Sequence, residues 1–292
     1  MMLTALLFPG QGSQSVGMLA ELAAQHSQVQ EIFSTASDIL HYDLWALTQN
    51  GPEEQLNQTE FTQPALLAAD IAVFECWKIN NTEKPAFLAG HSLGEYAALV
   101  AAESLSFKDA IALVAARGKY MQEAVLPGKG AMAAIVGLSD EAVVDICAQV
   151  AGVVSPANFN AIGQVVIAGE VEAVLTAIDL AKQQGAKLAK QIPVSVPSHC
   201  MLMQSAADKM AEKLQTTVIK KPLIPVIHNV DVKTHDNPAD IRTALIEQLI
   251  APVQWVKTIQ WIAAQGVTNF VECGPGKVLM GLNKRIITNT FS

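Results

Sequence analysis

The sequence has few charged residues, few aromatic residues and only four cysteines. Of its 292 residues, 16% are charged and 5% are aromatic, whereas 51% are hydrophobic. Intrinsic disorder requires the opposite balance, low hydrophobicity with high charge, so the composition excludes a disordered chain. A chain of this length can bury a large core, and we expect one or two domains.

Basic runs and long apolar runs are also missing. The net charge is −8 at pH 7, whereas nucleic acids and anionic membranes attract basic surfaces, so we predict neither as a partner. No stretch reaches the roughly 18 apolar residues that suggest a membrane span. The apolar start, residues 1–8, has no basic region, so we expect no signal peptide.

The cysteines are widely spaced and form no CxxC pair. This spacing argues against a zinc site and against a disulfide framework. We therefore predict reduced thiols in a cytoplasmic protein. The four positions are Cys76, Cys147, Cys200 and Cys273.

Strands alternate with helices along most of the chain. The run Leu3–Phe8 predicts a buried strand that stops at a Pro-Gly pair, and Ala86–Ala89 predicts a second strand. A helix is expected over Glu95–Ala102, and Ser106 is placed to cap another that runs to about Glu123. This order predicts a parallel sheet with helices on both faces.

Residues 127–195 follow a different pattern. The predicted order is β-α-β-β-α-β, which is typical of a ferredoxin-like unit. Its strands are expected at Met132–Gly137, Val153–Val154, Val165–Ala168 and Lys187–Val194. We predict a small domain of residues 127–195 inserted into a large domain of residues 1–126 and 196–292. A cleft between two such domains is a favoured place for a ligand.

The segment Gly90-His91-Ser92-Leu93-Gly94 matches the G-x-S-x-G pattern of a nucleophile on a tight turn. The turn leaves no room for larger side chains beside the serine, and its strain exposes the hydroxyl. A predicted strand precedes the motif and a predicted helix follows it. The backbone N–H of Leu93 then lies at a helix N-terminus, where it can donate to an oxyanion. The alternative is a chance match in an ordinary loop.

A serine nucleophile needs a base, and His199 is the best-placed of six histidines. His91 is expected to point away from the serine, and His26, His41 and His235 lie in polar stretches. We predict that His199 lies in the first turn of a helix, which disfavours its charged form and suits a neutral base. The alternative is a structural histidine.

Arg117 falls on the apolar face of a predicted helix, seven residues after Ala110. A charge on an inward face is costly unless it meets an anion. The arginine is therefore either a partner in a structural salt bridge, a side chain that reaches out to solvent, or a clamp for a substrate carboxylate.

Two glycine-rich segments are rejected as nucleotide sites. Gly10-Gln11-Gly12 lacks the third glycine of a dinucleotide fingerprint, although its backbone N–H groups could complete an oxyanion hole beside Ser92. Gly274-Pro275-Gly276-Lys277 lacks the first glycine and the Ser/Thr of a P-loop and is expected to be a turn.

Taken together, these motifs resemble the malonyl-CoA:acyl carrier protein transacylase family. The resemblance covers almost the whole chain and implies a large α/β-hydrolase-like parallel-sheet domain with an inserted ferredoxin-like small domain. The matching segments are Phe8–Gln14, Thr62–Ala65, Gly90–Tyr96, Arg117–Gln122, Asn158–Asn160, Pro197–His199, Val230–Asp231 and Gly274–Gly276.

The resemblance implies a role for several residues. Ser92 would be the nucleophile, His199 its base and Arg117 the binder of the malonyl carboxylate. Gln11 and Leu93 would supply the N–H groups of the oxyanion hole.

Two glutamines complete this set. Gln63 would line the substrate pocket, and Gln248 would orient the histidine without an acidic third member. Two positions depart from the family pattern: His228 stands where an asparagine is expected, and Ala251-Pro252 replaces an Asn-Pro near Gln248.

The implied reaction moves a malonyl group from malonyl-CoA to the phosphopantetheine thiol of acyl carrier protein through a malonyl-serine. The resemblance implies no cofactor and no metal, and we expect a monomer. Three alternatives remain open: a serine esterase or thioesterase, a malonyltransferase of a polyketide synthase, and an inert carrier-protein-binding relic.

Overall fold

The structure is a computed structural model that describes residues 3–290, so residues 1 and 2 of the apolar start lie outside it. The described chain contains eight strands in two sheets. The strands are β1 (Leu3–Phe8), β2 (Phe87–Gly90), β3 (Gly130–Val136), β4 (Val154–Ala161), β5 (Gln164–Glu170), β6 (Leu188–Ile192), β7 (Val226–Ile227) and β8 (Val267–Glu272).

Helices connect and cover these strands. They are α1 (Ala20–Gln25), α2 (Ser27–Leu40), α3 (Leu44–Asn50), α4 (Glu53–Leu56), α5 (Thr59–Asn80), α6 (Gly94–Ala101), α7 (Phe107–Ala124), α8 (Asp140–Gln149), α9 (Val171–Gln183), α10 (Gln204–Thr216), α11 (Pro238–Glu247), α12 (Trp255–Ala264) and α13 (Val278–Thr290). Ser106 caps α7 and Ser139 caps α8, each through its hydroxyl. The Ser106 cap confirms the helix start that was predicted there from the sequence.

The first sheet is parallel and has the order β7-β2-β1-β8. Alternate residues of β1 face opposite sides: Leu6 and Phe8 pack with α5, α6 and α7, whereas Ala5 and Leu7 pack with α12 and α13. A strand buried on both faces reads as a continuous apolar run, which is why β1 was recognisable. The predicted parallel sheet with helices on both faces is confirmed.

The second sheet is antiparallel, with the order β4-β5-β3-β6 and with α8 and α9 packed against it. This arrangement confirms the ferredoxin-like unit. All four of its strands lie between Gly130 and Ile192; the domain boundaries at 126/127 and 195/196 stay a prediction.

The predicted length of β4 is wrong. The strand that was predicted to start at Val153–Val154 is not short, because it continues past Pro156 to Ala161. Proline has no N–H for a sheet ladder, but β4 is an edge strand, and its register with β5 shifts between Pro156 and Asn158. Beyond this shift, Phe159 N–H donates to the Val253 carbonyl at 2.9 Å, and so joins the two parts of the fold.

All four cysteines are free and buried in the structure; their reduced state in the cell stays a prediction. None of the helices in residues 3–290 combines the length and the hydropathy needed to span a bilayer. The cytoplasmic location stays a prediction.

Candidate active site

Ser92 lies on the tight turn between β2 and α6. Its φ is +51°, in the left-handed region that non-glycine residues rarely adopt. A Cβ on Gly90 would come within 1.9 Å of the Gly94 backbone, and one on Gly94 within 2.0 Å of the Phe8 carbonyl oxygen. The two glycines are therefore required by close backbone contacts, as the motif predicted.

His199 faces this serine. Its Nε2 is 2.8 Å from Ser92 Oγ, and the side chain is almost fully buried. The prediction that His199 lies in the first turn of a helix is wrong. Its φ of +62° interrupts any helical turn, and a short 3₁₀ turn, Met201–Met203, separates it from α10.

The main-chain oxygen of Gln248 fixes the imidazole. It lies 2.6 Å from His199 Nδ1, and because a carbonyl can only accept, Nδ1 carries the hydrogen. Nε2 is left to accept from the Ser92 hydroxyl. Among the described residues no carboxylate contacts His199, in agreement with the predicted lack of an acidic third member.

Burial lowers the pKa of His199, and the nearby Arg117 charge lowers it further, to about 3. The neutral imidazole was predicted from a helix N-terminus, but the causes here are desolvation and a cation. His199 is therefore a neutral acceptor at physiological pH.

Arg117 reaches the same point from α7. Its Nη2 donates to the Gln248 side-chain Oε1 at 2.8 Å and to Ser92 Oγ at 3.3 Å. The side chain is 1% exposed, and burial lowers its pKa from the usual value. Within residues 3–290 no carboxylate forms an ion pair with it, and its Nε has no partner. Neither a structural salt bridge nor a solvent-facing guanidinium is found.

A cleft with an accessible volume of about 160 Å³ opens beside these three side chains. The parallel-sheet part contributes Gln11, Gln63 and Leu93, and the antiparallel sheet contributes, among others, Asn158 and Val166. The cleft thus lies between the two parts of the fold, where it was predicted.

The remaining predicted pocket residues also line this cleft. Neither Gln11 nor Leu93 donates its main-chain N–H to any group in the described chain, and both residues line the cleft. The Gln11 side chain bonds Thr59 instead. Gln63 is buried, with Nε2 3.3 Å from the sulfur of Met121 and with an unpartnered Oε1.

Comparison with known proteins identifies the family. Residues 5–288 match the acyl transferase domain family. The malonyl CoA-acyl carrier protein transacylase of Escherichia coli is 56% identical over 285 residues, which is 97% of this chain and 92% of the relative. That of Bacillus subtilis is 47% identical, over 97% of this chain and 90% of the relative. The chain belongs to the malonyl-CoA:acyl carrier protein transacylase family.

Solved structures agree with this assignment. The transacylase structure from Coxiella burnetii has a TM-score of 0.96 at 56% identity, covering 98% of this chain and 91% of that one. A structure of a type II PKS acyl-carrier protein in complex with its malonyl-transacylase has a TM-score of 0.96 at 53% identity, covering 98% and 93%. This transacylase-family chain is therefore an acyltransferase.

Sequence reasoning missed Asn229. Its side-chain Oδ1 accepts from Ser92 N–H at 2.7 Å, and its Nδ2 donates to the Gly90 carbonyl at 2.7 Å. The asparagine therefore ties the loop after β7 to the nucleophile turn. The segment Val230-Asp231, quoted for the family resemblance, lies directly beside it.

Sequence reasoning also missed Glu95. This acid is fully buried in the first turn of α6, and its Oε1 lies 2.6 Å from His228 Nδ1. An acid inside an otherwise uncharged helix was the available signal. His228, which departs from the family pattern, is thus a buried partner of Glu95.

The other histidines are placed as predicted. His91 turns away from the serine hydroxyl, with Nε2 2.8 Å from Asn160 Oδ1 and its ring against Trp255. His26, His41 and His235 retain solvent exposure.

Proposed function

We propose that this enzyme transfers a malonyl group from malonyl-CoA to the phosphopantetheine thiol of acyl carrier protein by a ping-pong mechanism through malonyl-Ser92. One observation carries the proposal: Ser92 Oγ lies within 3.3 Å of both a neutral imidazole nitrogen and an unpaired buried guanidinium. The first can activate the hydroxyl, and the second can select a substrate that carries a carboxylate.

In the first half-reaction His199 Nε2 takes the Ser92 proton while Oγ attacks the malonyl thioester carbonyl. The main-chain N–H groups of Gln11 and Leu93 receive the oxyanion, each contributing roughly 3 kcal/mol in the transition state. As the C–S bond breaks, the His199 imidazolium protonates the coenzyme A thiolate. Malonyl-Ser92 remains.

The second half-reaction reverses these steps. His199 removes the proton of the phosphopantetheine thiol, the sulfur attacks the ester, and the proton returns to Ser92 Oγ. Water must be excluded in between, and the cleft between the two parts of the fold shelters the ester. The proposed steps use no cofactor.

Arg117 supplies the preference for malonyl. A malonyl ester on Ser92 has its free carboxylate a few bonds away, within reach of the guanidinium. An acetyl group leaves that buried charge unpaired, which costs about 1–3 kcal/mol or more. The carboxylate also offsets the Arg117 charge that lowers the pKa of His199, so the correct substrate makes the base stronger.

The serine esterase alternative is less well supported. Its usual triad requires a carboxylate on the base, whereas a main-chain carbonyl holds His199. A polyketide carrier protein would present the same phosphopantetheine thiol, so the proposed chemistry serves either pathway.

Intact-mass spectrometry after incubation with malonyl-CoA tests the proposal, with acetyl-CoA as a parallel donor. We expect one malonyl group per chain in the wild type and none in Ser92→Ala. Adding phosphopantetheinylated acyl carrier protein should then discharge the label as malonyl-carrier protein. Labelling of the alanine variant, or release of free malonate instead of carrier product, contradicts the proposal.

A further inference from the structure

Glu95 is a buried acid beside the candidate active site that the transfer steps do not use. It is fully buried, and three polar groups converge on its two oxygens. His228 Nδ1 is 2.6 Å from Oε1, whereas Asn229 N–H at 3.0 Å and Gln248 Nε2 at 2.9 Å bond Oε2. Oε2 therefore accepts from two donors, the Asn229 N–H and the Gln248 amide.

This carboxylate fixes the direction of the Gln248 amide. An amide has a donor end and an acceptor end. The Gln248 donor end, Nε2, is taken by Glu95 and by the Ser92 carbonyl at 3.0 Å. The acceptor end, Oε1, must then face the other way, where it receives Arg117 Nη2 at 2.8 Å. A reversed amide would point its N–H groups at the guanidinium.

We propose that Glu95 is a positioning residue for the malonyl site: through the Gln248 amide it holds Arg117 beside Ser92 in the orientation that receives the substrate carboxylate. The inference rests on the proposed function, in which Arg117 binds that carboxylate.

The relay through an amide has a chemical advantage over direct contact. A carboxylate that touched Arg117 would form an ion pair and compete with the substrate. Glu95 instead acts one side chain away, and in the described residues no carboxylate pairs with Arg117. The guanidinium is therefore oriented but has no ion-pair partner among the described residues, and its Nε is unpartnered.

Two substitutions separate this role from packing. E95M keeps the side-chain length but removes both acceptor oxygens, so the Gln248 amide loses the hydrogen bond that sets its orientation. E95Q keeps one acceptor, and its new N–H₂ can donate to His228, whose Nε2 has no partner and so can take the proton from Nδ1. The amide of E95Q can therefore still guide Gln248.

Steady-state kinetics with malonyl-CoA and acetyl-CoA test the proposal. E95M should lower the malonyl-to-acetyl ratio of kcat/KM by about 10- to 100-fold, mainly through a raised KM for malonyl-CoA, as expected for a lost hydrogen-bonded charge site. E95Q should restore most of the ratio. The matched control is E172Q, which removes an exposed first-turn acid of α9 and should change nothing.

The inference is overturned if E95M lowers kcat/KM equally for malonyl-CoA and acetyl-CoA. It is also overturned if the malonyl-to-acetyl ratio of E95Q is as low as that of E95M. Where E95M fails to fold, E95D serves, since its shorter carboxylate cannot reach His228 and Gln248 together. An unchanged ratio in E95D overturns the inference as well. Failure of the proposed function is distinguishable, because Arg117→Ala would then keep the wild-type ratio.

Discussion

The main-chain oxygen of Gln248 lies 2.6 Å from Nδ1 of His199, so the imidazole is held by a group that no side-chain substitution removes. The side chain of the same residue turns to Arg117 instead. Gln248 thus positions His199 through its main-chain oxygen and Arg117 through its side-chain amide. A substitution of the side chain can remove the second contact and leave the first.

Gln248→Met should impair malonyl recognition more than serine activation. The backbone contact to His199 stays, but Arg117 loses its acceptor, which should lower kcat/KM for malonyl-CoA by about 10- to 100-fold. Acetylation of Ser92 by acetyl-CoA should fall much less. The rates of acyl-enzyme formation with malonyl-CoA and with acetyl-CoA measure this difference. An equal fall with both donors would show that the Gln248 side chain positions His199 instead.

Arg117→Ala should reverse the donor preference. We expect malonyl transfer to fall by roughly 100-fold or more, because the malonyl carboxylate would then be buried without a charged partner. Acetyl transfer should persist or rise. Arg117→Lys should restore little, since an ammonium lacks the planar fork of donors.

The control for this experiment is Arg242→Ala. Arg242 bonds main-chain carbonyls of Leu214 and Thr217, away from the cleft. Loss of the Arg242 side chain should lower the free energy of unfolding and leave the malonyl-to-acetyl ratio of kcat/KM unchanged. A similar fall with both donors in Arg117→Ala would make Arg117 a structural residue.

Local sequence signals predicted the parts of the site that depend on local geometry. The Ser92 turn was predictable because Gly90 and Gly94 are dictated by contacts within a few residues and with the adjacent strand. The hydroxyl caps of α7 and α8 were predictable for the same reason.

Long-range contacts were not predictable in this way. Asn229 and Glu95 act across more than 130 residues of sequence, and nothing in their immediate neighbourhood indicates those partners. The backbone at His199 was misjudged because its left-handed φ is set by tertiary packing, not by a glycine. The acyltransferase family was nevertheless predicted correctly, because the residues that touch the serine lie in recognisable motifs.

The pH dependence of Ser92 malonylation should show an unusually acid-tolerant base. An ordinary histidine protonates near pH 6.5 and would lose activity below that. Because the pKa of His199 is lowered to about 3, the base stays neutral, and kcat/KM should hold well below pH 6.5. The acid limb of kcat should lie at a higher pH than that of kcat/KM, because the carboxylate of the bound malonyl group offsets the Arg117 charge that lowers the pKa of His199.

Stopped-flow acylation with malonyl-CoA across this range measures both limbs. Arg117→Ala should raise the pH midpoint of the acid limb of kcat/KM, because it removes the charge that is the second cause of the lowered His199 pKa. Burial of His199 should still keep that midpoint below the pKa of an ordinary histidine. A kcat/KM midpoint near that of free histidine in the wild type would contradict the assignment.

Asp70 should make the protein less stable as the pH rises. This aspartate of α5 is fully buried, and neither carboxyl oxygen has a partner in the described chain. Burial raises its pKa well above the usual value, and the charge of Glu272, which accepts from the first N–H groups of α13, raises it further. The folded state therefore keeps a proton that the unfolded chain releases.

The sign follows from proton counting. Between the unfolded pKa of about 3.9 and the higher folded pKa, the folded state binds more protons, so the free energy of unfolding falls by about 1.4 kcal/mol per pH unit. Asp70→Asn cannot titrate and should remove this slope, so its advantage over wild type grows with pH. Denaturant unfolding at several pH values measures it, with the exposed Asp38→Asn as control. Parallel curves for wild type and Asp70→Asn would contradict a raised pKa for the buried carboxyl.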